Sequence, residues 1–198
     1  MSTVPLRHSM EEHDWHPPSR GAVGMFSLIV AESAIFTIFV VAYIYYMGKS
    51  DFGPTPRQVL DVPVLNTVCL LSSSFFIWLA ERAIERGQMR RFAVMWTITF
   101  ALGATFLAGT ALEWRKLIYQ DGLTIRTNVF GTSFYSLVGL HASHVIVGLA
   151  LLLAVLLFAI TGLLRAEHAY RVKVLALYWH FVDAVWVVVF TVVYLVGR

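Results

Sequence analysis

Five stretches of this chain are long and apolar enough to cross a lipid bilayer as α-helices, and no other feature limits its fold as tightly. A hydrocarbon core about 30 Å thick takes roughly 20 helical residues. The runs fall at about 22–47, 62–83, 92–114, 130–164 and 172–196, the fourth long enough to tilt or protrude. Polar breaks separate them. Gly48, Lys49, Asp51, Gly53, Pro54 and Pro56 follow the first run, and a charged segment from Glu81 to Arg91 closes the second. Arg115, Lys116, Gln120, Asp121 and Gly122 follow the third. Without water in the acyl region each span must pair its own backbone groups, so helices are expected rather than strands. The expected fold class is all-α: an integral membrane bundle of five transmembrane helices.

Composition agrees. The chain is 58% hydrophobic and 14% charged, with a mean hydropathy of +0.71. A soluble domain usually carries about a quarter charged residues. The connections are too short for a second domain, so residues 1–20 read as a tail and 21–198 as one membrane domain. The net charge of +3 is spread over loops between apolar runs, which orients a membrane protein better than it serves nucleic acid. Arg7, Arg20, Arg82, Arg86, Arg90, Arg91, Arg165, Arg171 and Lys173 put nine positive charges on the N-terminal side. Lys49, Arg57, Arg115, Lys116, Arg126 and Arg198 put six on the other. The imbalance predicts a cytoplasmic N-terminus and an outside C-terminus. The lone Cys69 offers neither a disulfide framework nor a Cys-x-x-Cys metal site. A tail holding Glu11, Glu12, Asp14, Pro17 and Pro18, followed by so long an apolar run, does not read as a cleavable signal.

Ionisable side chains inside spans are costly and ask for partners. Glu32 lies about 15 Å into the first span, at 1.5 Å per residue. It reads either as a neutral carboxyl hydrogen-bonded between helices or as a proton-relay or ion-binding carboxylate. In the last span His180 and Asp183, three residues apart, share a helix face. Depth places them level with Glu32, so Glu32, His180 and Asp183 are expected to form one inner polar cluster. His141 and His144 in the fourth span also share a face, with Glu113 at the outer end of the third span level with them. Glu113, His141 and His144 are therefore expected as an outer cluster, held by structural hydrogen bonds or, alternatively, binding a metal.

Small residues permit close helix approach: Gly21 and Gly24, the run Ser72 to Ser74, Gly103 and Gly109, and Gly139 and Gly148. Trp15, Trp114, Trp179 and Tyr194 read as interface anchors or as packing. The sequence has no nucleotide loop, no nucleophile with a positioned base and no Arg-rich voltage-sensing stripe. It reads as a tight bundle with polar pins and no active site of its own.

The stretch Tyr178-Trp179-His180-Phe181-Val182-Asp183-Ala184-Val185-Trp186 closely resembles the WHFVDxVW signature in the last helix of subunit III of the haem–copper respiratory oxidases. Other stretches follow in the family's order. Gly139-Leu140-His141-Ala142-Ser143-His144-Val145-Ile146-Val147-Gly148 is similar to its GxHxxHVxxG helix. Asn66-Thr67 with Ser72-Ser73 is similar to its NT…SS helix, and Glu113-Trp114 to its Glu-aromatic pair. Glu32-Ser33 sits where the family keeps a membrane carboxylate reactive toward carbodiimides. The resemblance runs from Gly21 onward and points to the short five-helix bacterial form, seen in quinol oxidases and in some cytochrome c oxidases. Thr110 stands near the position of a Gln that many relatives carry before the Glu-aromatic pair.

The resemblance implies a non-catalytic accessory subunit of a proton-pumping terminal oxidase that reduces O2 to water. Such a subunit stabilises the catalytic subunit I, supports its proton uptake and binds no cofactor itself, haem and copper lying in partner subunits. Subunit I is the implied partner, with subunit II and a small subunit IV as further candidates, in a bacterial cytoplasmic (inner) membrane. The first two spans would supply part of the subunit I contact. Phospholipid stays open as a ligand, because longer members bind it in a cleft built partly by two helices that would precede Gly21. The alternatives are a related subunit of a nitric-oxide reductase complex, a stand-alone transporter or channel using Glu32, and a haem- or metal-binding membrane enzyme using His141 and His144. A transporter would show an internal repeat or broken helices, and neither is visible in the sequence.

Overall fold

The computed structural model describes residues 19–50 and 52–197. Arg7, Trp15, the acidic and proline-containing stretch 11–18, Asp51 and Arg198 lie outside the described residues. Helix α1 runs Arg20–Tyr46, opened by Ser19, whose hydroxyl accepts from the Ala22 amide at 3.2 Å. That spends one of the amides a helix start leaves unpaired. A single turn, α2 (Pro56–Val59), precedes α3 (Val64–Glu85), which is followed by α4 (Met89–Tyr119). Helix α5 spans Val129–Ile160 and α6 spans Ala169–Phe190; a 3₁₀ turn (Ala166–His168) leads into α6 and a π-helical stretch (Thr191–Val196) continues it.

All five long helices are long and apolar enough to cross a membrane. They extend or shift the expected spans: α3 reaches Glu85, α4 occupies 89–119 rather than 92–114, and α5 stops at Ile160 rather than 164. Glycine sets two of these ends. Gly87 at φ +68° closes the α3–α4 turn, and Gly162 at φ +73° sits where α5 ends. Residues with a Cβ rarely adopt that backbone. At the start of α5 Asn128 accepts from the Gly131 amide at 2.8 Å, while its own amide donates to the carbonyls of Phe52 and Pro54. One side chain thus caps a helix and holds the α1–α2 connection.

Consecutive long helices run antiparallel. Helices α3, α4, α5 and α6 form a closed group, each packed on the next and α3 on α6, with α1 laid against α5 and α6. The buried face of α6 (Val172, Ala176, Trp179, Val182, Asp183, Trp186, Val189) repeats at three to four residues, as one side of a helix does. Trp96, Trp179, Trp186, Phe92, Phe106 and Phe134 fill the interior. Trp179 and Tyr194, among the residues expected as interface anchors or packing, are each 1% exposed and belong to this interior, because both face the neighbouring helices of α6. Helix α1 buries only Phe36 and Tyr43 and leaves the rest of its apolar surface outward.

Candidate functional site

Several polar side chains inside the bundle are paired, and most of these pairs bridge two helices. Glu32 of α1 meets His144 of α5, Oε2 to Nε2 at 3.0 Å. His144 Nδ1 lies 2.8 Å from the Leu140 carbonyl, which can only accept, so Nδ1 carries a hydrogen. The Nε2···Oε2 contact then holds one proton, either on the carboxyl or on the imidazole, and the pair is electrically neutral in both cases. Proton exchange across this hydrogen bond alters no net charge. Phe36, one turn beyond Glu32, packs on the His144 ring at 4.9 Å between centroids and screens one side of it.

A second group joins α3 to α6. Ser74 donates to Asp183 Oδ2 and lies 3.2 Å from His180 Nδ1. Because the serine proton goes to the carboxylate, its oxygen accepts from Nδ1–H, giving the order His180, Ser74, Asp183. His180 Nε2 faces Glu81 Oε1 at 3.8 Å. Beside them the Trp179 indole donates to Ser73 Oγ at 2.8 Å, and Ser73 donates to the Leu70 carbonyl at 2.6 Å. Asp183 is 3% exposed, and its Oδ1 has no partner among the described residues. A third pair sits at the far end of the bundle, where the Tyr194 hydroxyl donates to the Glu113 carboxylate at 3.0 and 3.2 Å. His141 is different. It is 1% exposed, neither ring nitrogen has a partner among the described residues, and Phe36, Phe106 and Trp186 surround it.

These positions regroup the expected clusters. His180 and Asp183 do lie together, linked by Ser74, but Glu32 is not with them. Helix α6 stands between: its His180 and Asp183 face α3, while Phe181, on another side, faces Phe36 of α1. The outer grouping of Glu113, His141 and His144 likewise does not form; Glu113 pairs with Tyr194, His144 with Glu32, and His141 packs in rings. Depth counting misplaced His144 because α5 ends at Ile160. From that end it lies about 24 Å in, and Glu32 about 18 Å from the start of α1, a gap of about one turn that two long side chains close. Among the described residues no three His, Cys, Asp or Glu side chains converge as a metal would need. Ser73, Ser74, Trp179 and Tyr194 are site residues that sequence reasoning treated as spacers or aromatics. The consecutive serines in an apolar span, and the place of Ser73 and Trp179 within the quoted family motifs, were the available signals.

The α6 group rests on close packing. A Cβ on Gly103 of α4 would lie 2.6 Å from the Trp179 ring, and one on Gly148 of α5 would lie 2.8 Å from its other edge. The indole is thus held between two helices at glycine positions, with its N–H aimed at α3.

Residues 19–198 match the family model for cytochrome c oxidase subunit III. The chain belongs to that family. It is 39% identical over 187 residues to a cytochrome c oxidase subunit 3 of Synechocystis sp., covering 92% of this chain and 78% of that one. With the Thermostichus vulcanus cytochrome c oxidase subunit 3 it shares 33% over 190 residues, covering 94% and 92%. A cytochrome bo(3) ubiquinol oxidase subunit 3 of Pseudomonas aeruginosa is 32% identical over 191 residues, covering 94% and 90%. In this subunit III family member the Trp179–Asp183 group falls inside the signature stretch of the last helix, and the Glu32–His144 pair ties the first helix to the fourth long one.

Proposed function

We propose that this multi-pass membrane protein is the non-catalytic accessory subunit III of a proton-pumping terminal oxidase that reduces O2 to water. In this reading it stabilises the catalytic subunit I and supports its proton uptake, and the haem and copper belong to partner subunits. The family match over residues 19–198 carries the reading. The polar geometry supports it, since Glu32, His144, Asp183 and Glu113 spend their hydrogen bonds on holding helices together. Subunit I is the first partner, subunit II and a small subunit IV further ones, in a bacterial cytoplasmic membrane with the N-terminus inside.

The test is a pull-down of the chain from membranes in mild detergent, followed by absorption spectroscopy and oxygen consumption. Haem bands and O2 uptake in the eluate are expected. The complex lacking this chain is expected to start at a comparable rate and lose activity sooner during turnover. Recovery of the chain alone, without haem, or a complex indifferent to its removal, would reject the proposal.

A further inference from the structure

The last helix does not finish in the α form. Thr191–Val196 is π-helical, a geometry that is rare in proteins and concentrated at functional sites. Its wider turn rotates each residue by about 80°, where an α-helix rotates it by about 100°. From Thr191 to Tyr194 that swings the chain back by about a fifth of a turn. Tyr194, about two turns past Trp186, thereby comes into line with it on the buried face, the two rings 6.2 Å apart. From there its hydroxyl reaches both oxygens of Glu113 in α4, at 3.0 and 3.2 Å. The π-helical stretch closes with the Gly197 amide donating to the Val192 carbonyl at 2.9 Å. A Cβ on Gly197 would lie 2.9 Å from the Tyr43 ring edge and hydroxyl, so the backbone itself seats against α1 there. One terminal turn is thus tied to α4 through Tyr194 and to α1 through Gly197.

The Glu113 end of the tie is within reach of protons. Glu113 lines a cavity of about 240 Å³ together with Asp61, Asn66 and Lys116, and the Asp61–Lys116 ion pair in that cavity is exposed. The other titratable groups facing this place are Tyr135 from α5, Asp121 behind Lys116, and Tyr43 beyond Tyr194. As a carboxylate, Glu113 takes the single Tyr194 hydrogen across two oxygens. Once protonated it keeps one oxygen free of hydrogen, so the bond loses both its charge and its second acceptor. We propose that the π-helical end of α6 is a latch held by ionised Glu113, which seats the end of α1 through Gly197 and Tyr43 and loosens when Glu113 takes a proton from the cavity. The latch is held on the alkaline side of the Glu113 titration and is lost as pH falls through it.

Hydrogen–deuterium exchange of the full chain in lipid nanodiscs tests this, each rate being divided by that of an unstructured peptide at the same pH. Nanodiscs expose both faces, so the result does not depend on the orientation proposed above. Between about pH 8 and about pH 4, which bracket a glutamate in most protein settings, amides 192–197 and 40–47 are expected to exchange about tenfold faster at the acid end, as when a hydrogen bond loses its charge. E113Q and Y194F are expected to exchange at the fast rate at both pH values. E85Q, at the opposite end of the bundle, is expected to respond as the parent does. E113Q and Y194F cut the same tie from opposite sides, so failure of one to fold leaves the other to decide. An unchanged corrected rate in the parent, a response that E113Q or Y194F retains, or one that E85Q abolishes overturns the proposal. So does a response at 192–197 with none at 40–47, because the latch would then not reach α1.

Discussion

At the residue scale, what decides the fate of Glu32 is that its partner has a fixed tautomer. His144 gives Nδ1–H to the Leu140 carbonyl, so its Nε2 can receive a proton from a neutral carboxyl or hold one against a carboxylate. In apolar surroundings the neutral arrangement avoids desolvating two charges. Glu32→Gln can still donate to Nε2 and is expected to leave unfolding of the purified complex near the parent's. Glu32→Ala strands the imidazole nitrogen and is expected to cost about 1–3 kcal/mol. Thermal unfolding in detergent reads both. Equal losses in the two variants would show that an amide cannot replace the carboxyl in the bond to Nε2. The presence of a partner for Glu32 was legible in the sequence, since a carboxyl in a span needs one. Its identity was not. Three-residue spacing correctly put His180 beside Asp183, yet said nothing about which neighbour of α6 that face meets.

At the element scale, five helices were readable from the length of the apolar runs alone, because a bilayer sets that length independently of tertiary contacts. Their ends were less so. Polar residues such as Arg90, Arg91, Arg115 and Lys116 ride on helical turns that project past the apolar core, so α4 is longer on both sides than its hydrophobic run. The glycines divide by what lies opposite them, which no count in the sequence could tell. Gly103 and Gly148 face the Trp179 ring, whereas a Cβ at Gly24 would meet nothing within 4 Å. Overpacking a filled site typically costs about 1–3 kcal/mol, while glycine-to-alanine at an open helical site gains up to about 1 kcal/mol. Gly103→Ala and Gly148→Ala are therefore expected to lower the unfolding temperature, and Gly24→Ala to hold or raise it. Adding Trp179→Phe, which removes ring bulk and the indole donor, is expected to relieve the collision in part while losing the bond to Ser73. A Gly24→Ala variant as unstable as Gly148→Ala would refute this account of the glycines.

At the scale of the whole molecule, charge and burial are distributed unevenly. Because successive long helices alternate in direction, Gly87 and Gly162 lie at one end of the bundle and Gly122 at the other. With Cys69 replaced by Ser, a single cysteine at Thr124 is expected to react with an impermeant maleimide added to intact cells. One at Gln88 is expected to react only after the membrane is opened. The reverse pattern would overturn the orientation drawn from Lys and Arg.

Burial separates α1 from the rest of the bundle. Only two residues of α1 are buried, and Phe26, Val30 and Ile38 are 66%, 55% and 67% exposed. Helix α1 hangs on the bundle through Glu32–His144, the Ser19–Tyr170 hydroxyl contact and the Phe36 and Tyr43 rings. Lipid alone can solvate such a face, so exposure does not name an occupant. In the proposed assembly the first two spans would form part of the contact with subunit I. A photoreactive phenylalanine analogue at Ile38, or at Val68 of α3, is then expected to crosslink to the haem-bearing subunit in membranes. The same analogue at Leu157 of α5, equally outward at 54% exposed, is expected to yield only lipid adducts. Crosslinking from Leu157 but not from Ile38 would put the catalytic neighbour against the opposite face and leave the outward surface of α1 to the bilayer.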